Sequence, residues 1–184
     1  MPAQVGRRAA EAAKISADSL VSAERAHLFV QVTLQSVQDR ILRAAMVDRS
    51  MDGGYWGDRL RVAYVIRNFG KTPAILREIS HELVASIDLR EEPVYSPPRG
   101  LPNETILAAG DDTPGIDCYM EDIVTVEQAR EIAAGKCSIW LIGRVVYEDI
   151  VSGPQSRLRT EPFLYRYAGA GFNPDYREAY NRRT

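Results

Sequence analysis

Ser80, His81 and Glu82 are consecutive, and a hydroxyl, an imidazole and a carboxylate are the residue types of a nucleophilic relay. A relay needs its side chains to converge, yet the flanking residues read as a strand, whose neighbours point to opposite faces. The run therefore predicts a surface or half-buried histidine, not a triad. His27, the other histidine, also falls in a strand-like stretch, with no histidine four residues away and no glycine elbow. Asp111, Asp112, Asp117, Glu121 and Asp122 form the densest acidic stretch, and carboxylate oxygens are the ligands of calcium and magnesium. The ordered EF-hand spacing is missing, so the stretch predicts a solvated loop that keeps sheet edges apart. Gly169-Ala170-Gly171 leads into Phe172-Asn173-Pro174 and not into a helix whose amides could face a phosphate, which predicts a plain turn. Cys118 and Cys137 are too far apart for a C-x-x-C pair and predict two buried thiols, with a single disulfide as the alternative. No residue is assigned a catalytic, cofactor-binding or metal-binding role, and the chain reads as non-enzymatic, with no cofactor.

Two clusters carry recognition chemistry instead. Met51, Tyr55 and Trp56 share a glycine-rich stretch, where aromatic rings either fold back over a sheet end or are offered to a partner. Near the C-terminus Tyr176, Arg177 and Tyr180, with Arg182 and Arg183, could meet an acidic surface or form a solvated tail. These six residues, Met51, Tyr55, Trp56, Tyr176, Arg177 and Tyr180, are the candidate contacts to an unknown protein partner.

The 184 residues suit one domain with appendages, and 45% hydrophobic with 26% charged content is that of a globular chain. A net charge of -2 argues against a general nucleic-acid binder, which needs a surplus of Lys and Arg against phosphate. No apolar run approaches the roughly 20 residues that span a bilayer, and no apolar stretch follows Arg7 and Arg8 as in a signal peptide. The sequence as given reads as soluble.

The elements that would hold these residues begin with an Ala-rich helical arm over residues 1–26, where Ala10, Ala13, Ala17 and Leu20 share a narrow face. So small an apolar stripe allows only weak self-association. From Leu28 to Gln35 apolar and other residues alternate with a period of two, the mark of a strand. Asp39 to Val47 reads as a second strand, or as a short helix over Arg40 to Met46. Leu60 to Arg67 and Ala74 to Ser86 flank Asn68-Phe69-Gly70-Lys71-Thr72-Pro73 and predict an antiparallel hairpin. Prolines 93, 97, 98 and 102 predict a long surface loop from Glu91 to Asn103. Short strands are expected at Thr105 to Gly110 and Ile116 to Met120. Thr125 with Gln128 forms a capping box for a short helix that Gly135 stops. Ser138 to Ile150 is the most β-prone run, and Arg157 to Tyr167 returns beside it as a second hairpin. The fold class is mainly β: an immunoglobulin-like antiparallel β-sandwich over residues 27–168 with an N-terminal helix, one short internal helix and a partly ordered tail from 169 to 184. A barrel is the alternative.

The segments Ser16 to Leu28, Asn68 to Ala74 and Gly143 to Ile150 together resemble a diffuse set of uncharacterised bacterial proteins. The resemblance implies a β-sandwich behind an N-terminal membrane anchor and an Ala-rich helical linker, with no established activity. Residues Arg7, Arg8 and Lys14 would then place the domain on the cytoplasmic side of the membrane. This sequence departs from that set in having no membrane span of its own and no histidine and cysteine pair in the final strand. The expected function is a non-enzymatic interaction or structural module, membrane-associated in its native setting. Alternatives are a small-ligand-binding or hydrolytic domain, and a subunit of an oligomeric envelope or particle.

Overall fold

A computed structural model describes residues 11, 13–16, 24–34, 37, 41, 46, 59–149, 158–169, 171–180 and 182. Among the described residues eight strands build two antiparallel sheets. The smaller has the order β1-β2-β5, from Leu28–Leu34, Arg61–Asn68 and Ile116–Tyr119. The larger has the order β4-β3-β6-β7-β8, from Arg99–Leu107, Ala74–Ser86, Ser138–Asp149, Leu158–Tyr167 and Phe172–Pro174.

The period-two pattern of β1 places Leu28 and Val30 in the core and Phe29 and Gln31 outside. On β2, Val62, Tyr64 and Ile66 take the inward positions. They meet Leu76, Ile79 and Leu83 of β3, Leu141, Val145 and Tyr147 of β6, and Phe163 of β7 in one apolar cluster. Each such aliphatic or aromatic side chain contributes about 1.5–3 kcal/mol on leaving water. Polar bonds also cross between the sheets. Tyr64 and His81 share a hydrogen bond of 2.5 Å, and the phenols of Tyr147 and Tyr165 donate to the carbonyls of Ala26 and Val30. Those two phenols cap backbone of the β1 side of the small sheet that would otherwise be an open template.

The hairpin expected from Leu60 to Ser86 does not form. β2 and β3 lie in different sheets, so residues 69–73 form an arch between layers and not a turn within one. The reason is Asn68, which is fully buried. Its Nδ2 donates to the carbonyls of Thr72 at 2.7 Å and Leu107 at 3.1 Å. Its Oδ1 accepts from the amides of Gly70 at 2.9 Å and His27 at 3.3 Å. Its backbone joins Asp111 at 3.0 Å and Gly110 at 2.8 Å. Gly70 is required by close approach, since a Cβ there would lie 2.1 Å from the Arg25 carbonyl oxygen. Thr72 Oγ1 extends the knot by donating to buried Asp149 at 3.1 Å.

Other expectations meet the structure as follows. The pairing of β6 with β7 is the second hairpin, with Trp140 opposite Arg166 and Glu148 opposite Leu158. The short helix is α1, Val126–Ala133, with Thr125 accepting from the Gln128 amide at 3.1 Å and Gln128 Oε1 accepting from the Thr125 amide at 3.0 Å. Strand was expected for Asp39 to Val47, with a helix as the alternative; of that region the described Ile41 and Met46 are helical, as is Val37. Val37 and Ile41, one turn apart, are buried. In the N-terminal arm the described residues 11, 13–16 and 24 are helical and exposed. The proline loop ends earlier than expected, because β4 begins at Arg99 and contains Pro102. A proline is admissible there since β4 is an edge strand. The tail is packed: β8 pairs with β7, and a 3-10 turn, Glu178–Tyr180, follows.

Replacing Asn68 by Ala would strand several buried donors and acceptors, each costing about 1–3 kcal/mol. Asn68→Ala is expected to lose at least about 3 kcal/mol and Gly70→Ala a comparable amount, lowering Tm by about 6–12 °C. Thermal denaturation checks both, and a change of under about 1 kcal/mol in Asn68→Ala would contradict this role.

Candidate functional site

β3 has 13 residues and pairs with β6 along its whole length, from Ala74 to Ser86. β4 accompanies it only from Ala74 to Ile79. Beyond Ile79 the chain of β4 gives way to the proline-bearing loop, which leaves β3 at Ser86. Among the described residues no strand pairs with the remaining edge of Ser80–Ser86. Glu82, Val84, Ala85 and Ser86 are half-buried there.

A cavity of about 350 Å³ opens on the outer face of the large sheet beside this edge. Val84, Leu89, Val94 and Ile142 give it apolar walls, and Glu82, Asp88 and Arg90 line it as well. A second cavity, of about 190 Å³, reaches toward the small sheet. Leu83, Ala85 and Met120 line it together with Glu82, Glu121 and Asp122. Glu82 belongs to both, and accepts a long 3.4 Å bond from Ser96.

The outer cavity is held open by a small second core on the outer face of the large sheet. Trp140, Ile142, Leu164 and Tyr180 are buried together, with Leu89 and Tyr95 of the loop packed against them. Trp140 Nε1 donates to the Ser86 carbonyl at 3.2 Å. The guanidinium groups of Arg166 and Arg177 lie 5.2 Å and 4.7 Å from the Trp140 ring centroid. Arg177 also pairs with Asp88 at 2.7 Å, and the Tyr180 hydroxyl donates to the Arg90 carbonyl at 2.9 Å. Loop and C-terminal segment thus brace each other across the sheet. The hydrogen bond from Arg177 holds the Asp88 carboxyl below its usual range, aided by the Leu89 amide. Burial pushes the Tyr180, Tyr95 and Tyr165 phenols up.

Of the partner-contact candidates, Arg177 and Tyr180 come together beside the outer cavity, Tyr180 as a buried prop and not an offered side chain. Tyr176 is 82% exposed. Met51, Tyr55 and Trp56 lie outside the described residues. Ser80, His81 and Glu82 alternate across the sheet as a strand requires, but His81 is buried between the layers rather than on the surface. His27 precedes β1 and is exposed. The acidic stretch is dispersed: Asp112 pairs with Arg67 and Asp117 with Arg61, while Glu121 and Asp122 line the smaller cavity. Among the described residues no group of three His, Cys, Asp or Glu side chains could hold a metal ion. Both cysteines are free and buried, and burial raises the Cys137 thiol. Between β7 and β8 the Ala168 amide donates to the Gly171 carbonyl at 2.9 Å.

Sequence reasoning missed Val84, Asp88 and Trp140. One signal was present: prolines 93, 97 and 98 cannot continue a strand alongside Ser80–Ser86, which leaves that half of β3 without a neighbour on one side.

No protein-family model, curated protein or solved structure matches the chain. This overturns the resemblance to membrane-anchored bacterial proteins. No helix among the described residues is long and apolar enough to cross a membrane, which likewise withdraws the expectation of membrane association.

Asp88 is favoured as a carboxylate when the C-terminal segment is docked. The contact therefore contributes above the ordinary carboxyl pKa of about 4 and fades as pH falls through the lowered value. The Tyr180 amide, bonded to the Arg177 carbonyl at 3.0 Å, reports on this docking. Its protection from hydrogen exchange is expected to drop between about pH 6 and about pH 3, and Asp88→Asn should remove most of that step. Equal protection at both pH values in the unmodified chain would contradict the assignment.

Proposed function

We propose that this chain is a non-enzymatic interaction module with an immunoglobulin-like arrangement of its two sheets. The observation that carries this is the Ser80–Ser86 edge of β3, flanked by cavities on both faces. Backbone donors and acceptors along such an edge offer affinity to an extended partner, and cavities on either side offer selectivity among its side chains. The apolar walls with scattered carboxylates suit side-chain capture better than covalent chemistry, since Ser80 and His81, the nearest nucleophile and base, belong to opposite faces.

The small-ligand alternative draws on the 350 Å³ cavity alone, which lies within the size range of small-molecule pockets. Panning a random peptide display library on the full chain separates the two. Peptides enriched on the unmodified protein are expected to lose about tenfold or more in affinity on Val94→Arg combined with Glu121→Arg, because these exposed positions obstruct both cavities. Failure to enrich any peptide, or enriched peptides indifferent to both substitutions, would count against the proposal.

A further inference from the structure

We infer that the occupant of the Ser80–Ser86 edge is an extended peptide alternating basic with apolar residues, added to the large sheet as a strand beside β3. The inference rests on the interaction module proposed above and names its partner.

The edge sets the conformation. Alternate residues of a strand direct their N–H and C=O groups away from the neighbour already paired, here β6, so Ser80–Ser86 presents a short ladder to a newcomer. An added strand continues past the point where β4 ends, bounded on one face by the 87–98 loop and on the other by the segment after β5. Its successive side chains then fall alternately toward the two cavities.

The cavities set the composition. The smaller is lined by Glu82, Glu121 and Asp122 beside the apolar Leu83, Ala85 and Met120, and among the described residues no Lys or Arg lines it. None of these three carboxylates forms an ion pair with a described residue. Glu121 and Asp122 are exposed at its rim, so Lys or Arg side chains of the newcomer can reach them without burying charge. The larger cavity adds Glu82, Asp88 and Arg90 to the apolar walls of Val84, Leu89, Val94 and Ile142; with Asp88 already paired to Arg177, those walls fit an aliphatic side chain. One face basic and one face apolar is the alternation that results.

A second copy of this chain is a poorer occupant. Antiparallel pairing of two Ser80–Ser86 edges would gather Glu82, Glu121 and Asp122 of both copies about one axis, and among the described residues the smaller cavity has no Lys or Arg to set between them.

The probe is the capped heptapeptide Lys-Val-Lys-Val-Lys-Val-Lys, titrated into the full chain by calorimetry, with Glu-Val-Glu-Val-Glu-Val-Glu as control. Saturable binding of the lysine peptide is expected, weakening as salt rises, with hydrogen-exchange protection gained within Ser80–Ser86. N-methylation of alternate peptide amides is expected to cut affinity by about tenfold in one of the two registers, because it removes ladder donors without touching the protein. Glu121→Lys with Asp122→Lys is expected to weaken the lysine peptide by about tenfold or more. No binding up to about 1 mM, indifference to N-methylation in both registers, or equal binding of the glutamate peptide would overturn the inference. So would peptide-independent dimerisation through this edge. Should panned peptides map to Ser80–Ser86 while the lysine peptide fails, the basic partner falls and the interaction module stands. If no panned ligand touches the edge, both fall.

Discussion

Everything in this fold is referred to the buried side chain of Asn68. A carboxamide has two donor hydrogens and an acceptor oxygen with two lone pairs, and here all are engaged, by the carbonyls of Thr72 and Leu107 and the amides of Gly70 and His27. Those partners belong to the arch after β2, to the end of β4 and to the chain entering β1. One residue therefore fixes where four segments meet, and it does so at the point where the chain leaves one sheet for the other. A buried network of this kind specifies a single arrangement because any other leaves polar groups unsatisfied.

The arch has consequences far from Asn68. Since β2 is committed to the small sheet, the neighbours of β3 come from β4 and β6. β6 follows β3 to its end, whereas β4 stops at the level of Ile79. Among the described residues no strand closes the half of β3 that remains. It is framed instead by a loop and a C-terminal segment that lock together through Arg177, Trp140 and Tyr180. By contrast, the β1 side of the small sheet meets the phenols of Tyr147 and Tyr165. One edge is capped by phenols and the other has no strand partner among the described residues, which is why the interaction argument settles on β3.

Local signals were legible in the residues wherever the deciding contacts were local. The partners of the Thr125–Gln128 capping box are three positions apart, so it can be read directly. The alternation of β1 and the pairing of β6 with β7 followed from strand period and a short connection. Asn-x-Gly-x-x-Pro gives the chain the same freedom to reverse in a hairpin as in an arch. What distinguishes them is the Asn68 bond to Leu107, 39 residues away, and to His27, 41 residues away. The burial of Tyr180 is not legible in the sequence, because it depends on Trp140 and the Arg90 carbonyl, neither near it along the chain. The site was harder still, since an open edge is defined by where β4 stops, which the prolines of the loop hint at without giving the register.

Residue-resolved amide exchange on the native chain tests the central claim most directly. With the arch in place, the Asn68 side-chain amide protons and the Gly70 amide should exchange as slowly as the core. Along Ser80–Ser86 slowly and rapidly exchanging amides should alternate, the slow ones facing β6 and the fast ones facing the open edge. Rapid exchange at Asn68 Nδ2, or uniform protection throughout Ser80–Ser86, would contradict it.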